Sequence, residues 1–328
     1  MATDRSRAVL GAAALALVVL LGVAVLTRVL DGDGEDGGGE PAARPGVSEA
    51  TSSTDRGAAS PPGARRVLRL PSGGQHHFTK NRFLVAYYGT AGTDALGVLG
   101  EGTPARVHPR LLRAARDFAG PDRPVQPVYE LIVTVADATP GRDGDYSHDI
   151  ARASVQRYID AAHRHGALLL LDIQPGRSDF LTVAKRWKWA LQDPYVGLAL
   201  DPEWRMGPRE VPGRTIGSVD ATEVNEVSSW LSGVVERQQL PEKLLVVHQF
   251  RTDMLTRPRL VKQREGLALV QHVDGFGTPG QKRATYGTVA RPGTFTMGFK
   301  LFYDEDRPRM SARDVLALDP QVRFVSFQ

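Results

Sequence analysis

From residue 78 onward the chain alternates short apolar runs with amphipathic stretches, and this alternation limits the fold more than anything else in it. Eight runs stand out, at 83–88, 129–135, 167–173, 196–200, 244–248, 267–272, 295–302 and 323–327. Most carry Val, Ile, Leu or Phe throughout, as strands covered on both faces do. Helices are expected between several of them. One spans 149–165 and closes at Gly166; one spans 179–192 behind Ser178 as N-cap; a third spans 221–239, with Val224, Val227, Leu231, Val234 and Val235 on one stripe. Ser311 with Asp314 matches a capping box that opens a last short helix. Between residues 250 and 266, Pro258 allows only a short helix. Strands separated by crossovers predict the α/β class, as a single (β/α)8 TIM-type barrel over residues 76–328.

The N-terminal part has a different composition. Residues 8–26 are uninterrupted Ala, Val, Leu and Gly, about the length a helix needs to cross a bilayer, so 1–30 reads as a cytoplasmic tip and transmembrane signal anchor. Arg5 and Arg7 precede the run, while Asp31, Asp33, Glu35 and Asp36 follow beyond Arg28. The positive-inside rule then keeps the N-terminus in the cytoplasm and sends the barrel to the far side of the cell membrane as a single-pass protein. Residues 31–75 are Gly, Pro, Ser, Ala and scattered charge, too poor in large apolar groups to order themselves, and read as a flexible linker. The expected partner of residues 8–30 is therefore the lipid bilayer.

Composition excludes some chemistry. The chain has no cysteine, which removes disulfides, thiolate nucleophiles and thiolate zinc sites. Its net charge of +4 is mild, with no basic block interleaved with aromatics, so nucleic acid is not an expected partner. Neither a cofactor nor a metal ion is expected.

The predicted strands share one property. Their C-terminal ends deliver Tyr87 and Tyr88, Asp137, Asp172 and Gln174, Asp201 and Glu203, His248 and Gln249, His272 and Asp274, Lys300, Tyr303 and Asp304, and Gln328. The opposite edges carry little beyond Arg82, Glu130 and Arg323. A barrel does its chemistry at the C-terminal ends of its strands, so the asymmetry marks a candidate site. Plainer readings stand beside it. Glu203 can pair with Arg205 or Arg209, His248 and His272 can be satisfied core histidines, and Asp304-Glu305-Asp306 reads as a solvated charge run.

The fourth run, Val196-Gly197-Leu198-Ala199-Leu200-Asp201-Pro202-Glu203, resembles the D-G-x-D-x-D-x-E motif of family 18 glycoside hydrolases. Asp201 and Glu203 match its last two acids, while Val196 and Ala199 stand where the first two would be. The resemblance implies Glu203 as general acid and Asp201 as its orienting partner, acting on a carbohydrate polymer of the cell wall or the surroundings. The missing inner carboxylate favours a second scheme, in which Glu203 works with a carboxylate from another strand: Asp274, Asp172 or Asp304. Asp274 completes the expected catalytic set. Tyr87, Trp204 and Tyr303 are then expected as stacking platforms and His272, Gln174 and Lys300 as hydroxyl partners. Tyr88, Asp137, Asp172, His248 and Gln328 complete the substrate-binding set. Two alternatives remain open. One is a barrel that binds glycan without cleaving it; the other is a metal-dependent hydrolase using His248, His272 and Asp274.

Overall fold

The computed structural model describes residues 67–328. The predicted anchor and the linker up to residue 66 lie outside them, and no helix among the described residues is long and apolar enough to cross a membrane. Eight parallel strands among these residues close into a barrel: β1 (Phe83–Thr90), β2 (Val125–Ala136), β4 (Leu168–Ile173), β5 (Val196–Leu200), β7 (Lys243–Gln249), β9 (Leu267–Val273), β10 (Thr296–Leu301) and β11 (Val322–Phe327). They pair in the order β1-β11-β10-β9-β7-β5-β4-β2, and a β1–β2 ladder shuts the ring. Strand β3 (Ser147–Asp149) adds an antiparallel hairpin to the end of β2, and β6 (Val219–Asp220) pairs with β8 (Leu255–Thr256) outside the barrel.

Strand alternation divides the side chains. Residues such as Val85, Leu131, Leu171 and Leu198 point outward into the large core beneath the helices. Leu84, Val128, Leu168, Leu244 and Phe324 point inward and fill the lower part of the barrel, with Ala86, Ala199 and Val246 among their neighbours. The interior is therefore a dry floor, not a pore. Leu70 joins that floor, held by a turn in which Gly73 N–H donates to the Leu70 carbonyl at 2.8 Å. Thus Leu70, in a stretch linker-like in composition, is packed under the barrel, because the open lower end leaves apolar side chains that need covering.

The helices are α1 (Pro104–Arg116), α2 (Arg152–His165), α3 (Phe180–Arg186), α4 (Lys188–Leu191), α5 (Ala221–Gln238), α6 (Pro279–Val289) and α7 (Ala312–Leu316). Helix α2 ends at Gly166 in the left-handed conformation, and α7 opens with both hydrogen bonds of the Ser311–Asp314 capping box. The helix expected over 179–192 differs in two respects. Its cap is Asp179, which accepts from Thr182 N–H, and not Ser178. It also breaks at Trp187, whose buried indole N–H donates to Thr134 Oγ1 at 2.9 Å, a tertiary bond that local propensity does not foresee. Between β7 and β9 the short helix is a single 3-10 turn, Pro258–Leu260.

Strand β2 starts four residues before its predicted start, at Val125, because Pro127 interrupts the pattern without interrupting the strand. Glu130 is consequently not an edge residue. It sits within the strand, opposite Tyr88 of β1, with no exposure to solvent.

The barrel interior also explains Gly298. It lies opposite His272 in the β9–β10 ladder, and a Cβ there would collide with the His272 ring. Gly298→Ala is expected to cost about 2 kcal/mol by overpacking, measured as a lowered urea midpoint with an unchanged slope.

Candidate active site

Above the dry floor, the inward-facing positions become polar. Tyr88 on β1, Glu130 on β2, Asp172 on β4, His248 on β7, His272 on β9, Lys300 on β10 and Ser326 on β11 are all buried, and Asp201 and Asp274 follow directly after β5 and β9. Alternation and register bring them to one level. Asp172 lies opposite Ala199, His248 opposite His272, and Lys300 opposite Ser326. The carboxylate absent at position 199 of the fourth-strand motif thus has a counterpart one strand away, at Asp172.

His248 stands at the centre. Its Nδ1 lies 3.1 Å from Asp274 Oδ2, and its Nε2 lies 3.1 Å from Glu130 Oε1 and 3.9 Å from Asp172 Oδ1. Burial opposes charge on the ring, but the Asp274 hydrogen bond and the Glu130 carboxylate beside Nε2 outweigh it and hold the imidazolium well above its usual range. Asp274 responds in the opposite sense. Burial favours its neutral form, yet the His248 hydrogen bond and the Lys300 ammonium, 3.8 Å from Oδ2, pull its pKa below the ordinary carboxylate value. Both cations face Oδ2. Oδ1 is buried and has no hydrogen-bond partner among the described residues.

Glu203 is set up differently. It lies on a 3-10 turn, Pro202–Trp204, that begins where β5 leaves the sheet. Its N–H donates to Asp201 Oδ1 at 3.2 Å, and its carbonyl accepts from Gly217 N–H at 2.7 Å. That second bond requires glycine, since a Cβ at 217 would come within 2.6 Å of the Pro202 carbonyl oxygen. Arg205, two residues on, donates instead to Glu223 at 2.9 Å. Glu203 is half-buried, with Asp201 and Asp274 the acids near enough to act on it. Burial, then the charges of Asp201 and Asp274, raise its pKa well above the usual value.

Asp201 and Asp172 are raised as well. Burial and the Asp172 charge push Asp201 from 3.8 to about 7; burial pushes Asp172 to about 6 against the pull of His248. The Tyr88 hydroxyl donates to Asp172 Oδ2 at 2.7 Å, and the Lys300 ammonium lies 3.6 Å from the Tyr88 ring centre. Burial, followed by the charges on His248 and Lys300, drives His272 well below its usual range, so this ring is neutral, with Nε2 at 2.8 Å from Ser326 Oγ.

The remaining predicted positions divide in two. Gln174 and Gln328 join the rim: Gln174 Nε2 lies 3.5 Å from the Tyr88 hydroxyl, and Gln328 Oε1 accepts from Lys300 Nζ at 3.2 Å. Trp204 stands half-buried beside Glu203 on the same turn. Tyr87, Tyr303 and Asp137 are outside the cluster. Tyr87 faces outward from β1, with its hydroxyl 3.1 Å from that of Tyr303, which stacks on Phe327 behind the barrel wall. Asp137 lies on the β2–β3 hairpin, 2.7 Å from His148 Nδ1. Gln249 also points outward and accepts from Gln271 at 2.6 Å. Glu130 and Ser326 are the members that sequence reasoning missed; for Glu130, an acid inside the run Val128-Tyr129-Glu130-Leu131-Ile132 was the available signal.

The metal-dependent alternative asks for a ligand set. Both nitrogens of His248 already face carboxyl groups, His272 turns to Ser326, and no group of three His, Asp or Glu among the described residues is arranged to hold a metal ion.

No family model matches the chain, and no curated protein matches it. Among solved structures it is similar to a hyperthermophilic endo-β-1,4-glucanase in complex with substrate, at TM-score 0.35 and 9% identity, covering 62% of this chain and 77% of that one. It is also similar to a trimodular GH5_4 subfamily endoglucanase, at TM-score 0.38 and 12% identity, covering 67% of this chain and 48% of that one. The chain spans about half the length of the second. Likenesses this distant establish neither a family nor an activity.

The raised acids give stability a defined pH dependence. Asp201 titrates at 3.8 when unfolded and at about 7 when folded, so its protonated form stabilises the fold fully below about pH 4, and this contribution is lost as pH rises through about 7. Asp201→Asn removes the contribution while keeping an acceptor for Glu203 N–H. Urea midpoints of the variant should fall less between pH 4 and 7 than those of the wild type, and should exceed them at pH 8.

Proposed function

We propose that this chain is a glycoside hydrolase that cleaves a cell-envelope or environmental polysaccharide, with Glu203 as general acid and Asp274 as the partner carboxylate. The observation that supports the reading is the opposite tuning of these two groups at the C-terminal mouth of one barrel. Glu203 is kept protonated and Asp274 is kept ionised with one oxygen free. Acid–base assignments follow from such divergent environments.

In this scheme Glu203 gives its proton to the glycosidic oxygen as the bond to the anomeric carbon breaks. Asp274 Oδ1 either attacks that carbon or takes a proton from an attacking water, and the anomeric form of the first product distinguishes the two. His248 and Lys300 hold the other oxygen, so Asp274 stays aligned as positive charge develops on the sugar ring. Asp201 holds the Glu203 turn, and its charge keeps the acid protonated. Substrate assistance in the manner of family 18 receives less support, because Ala199 stands at the inner acid position. Trp204 and Gln328, half-buried at the rim, would meet ring faces and hydroxyls, while the buried Tyr88 and Gln174 support the acids beneath them. The apolar run at 8–26, with arginines before it and acids after it, supports display of the barrel from the outer face of the cell membrane.

The test is hydrolysis of amino-sugar and neutral polysaccharides by the full chain in detergent. Glu203→Gln and Asp274→Asn should each lower kcat by at least about a hundredfold. Asp201→Asn should move the alkaline limb of the pH–rate profile downward, because a charge that keeps Glu203 protonated is gone. Retained glycan binding with no product from any form of the protein would replace hydrolysis with binding alone.

A further inference from the structure

Asp306 belongs to a charge run that reads as solvated, yet its side chain has no exposure, and neither does that of its partner Lys282 on α6. The Lys282 ammonium lies 2.9 Å from Asp306 Oδ2 and donates to the carbonyls of Gly275 at 2.8 Å and Lys300 at 2.9 Å. Asp306 in turn accepts from the backbone N–H groups of Gly277 at 2.9 Å and Phe302 at 3.0 Å. The pair thus grips four backbone groups, two after β9 and two at the end of β10.

The place of this grip matters. The β9–β10 ladder ends with Phe299 opposite Val273, one residue short of both Lys300 and Asp274. No rung of that ladder fixes the two site residues relative to each other. Gly275 follows Asp274 directly, and the second carbonyl belongs to Lys300 itself. A buried ion pair adds little net stability over an apolar pair of the same shape, so stability alone is a weak reason for one here.

We propose that the Lys282–Asp306 pair positions Asp274 against Lys300, as a backbone clamp that continues the β9–β10 register past the last rung of the ladder. The role rests on Asp274 being the reactive carboxylate, and it makes Lys282 and Asp306 positioning residues that act through Asp274 and Lys300. A simple loop staple is the competing account. The two differ in what happens to Asp274 when the clamp is loosened without removing positive charge.

The experiment is a 13C NMR titration of the aspartate carboxyls in the full chain, with the Asp274 signal assigned from Asp274→Asn. Asp306→Asn deletes a negative charge, which by Coulomb's law alone lowers the Asp274 midpoint. Loss of position moves Lys300 away and raises it. Asp306→Ser likewise deletes only the negative charge and leaves room for a water beside the Lys282 ammonium, so it keeps the test open if Asp306→Asn is unstable. The expected result is a rise of about one pH unit in each folded variant. A midpoint that falls or stays in place, with the fold intact by circular dichroism, overturns the clamp. The titration needs no substrate. Absence of glycan hydrolysis would overturn the hydrolase reading and leave the clamp standing.

Discussion

His248 is enclosed on every side, and an imidazole in such a place loses its second proton unless carboxylates stand against its nitrogens. Here they do, with Asp274 and Glu130 each at 3.1 Å. The charge kept in this way sets the state of its neighbours. It helps to lower Asp274, it limits how far Asp172 rises, and it helps to drive His272 neutral. Removing either carboxyl would leave the other charges buried and partly unpaired, so the cluster holds together as a unit.

The cluster depends on the barrel beneath it. The aliphatic floor keeps water out from below, so burial pushes Asp172, Asp201, Glu203 and Asp274 toward their neutral forms before any neighbour acts. Ring closure places side chains from seven strands around one axis, which no open sheet would do. The loops then fix what the strands cannot. The Glu203 turn is locked by Gly217, and the ends of β9 and β10 are tied through Lys282 and Asp306.

Much of this fold was legible in the residues. A strand covered by helices outside and packed inside is apolar along its whole length, and all eight such runs are strands of the barrel. The same uniformity hid other features. Where every residue is apolar, the parity of a strand has no signature, so Tyr87 and Tyr88 were equally plausible site residues until register turned one outward and one inward. Glu130 was masked by Pro127, which disguised the start of β2. Asp306 read as part of a solvated charge run because nothing local shows that a helix after β9 will bury Lys282 against it.

The sequence by itself determined the α/β class, the eight strands and the concentration of polar groups at their C-terminal ends, because these follow from hydrophobic periodicity and local chemistry. It also marked Asp201 and Glu203 through their place at the close of the fourth strand. Tertiary structure alone decided which of those groups meet, which face the helices, and which acid keeps its proton. The reason is physical: protonation in a buried cluster depends on distances between strands far apart in the chain, and those distances exist only once the barrel has closed.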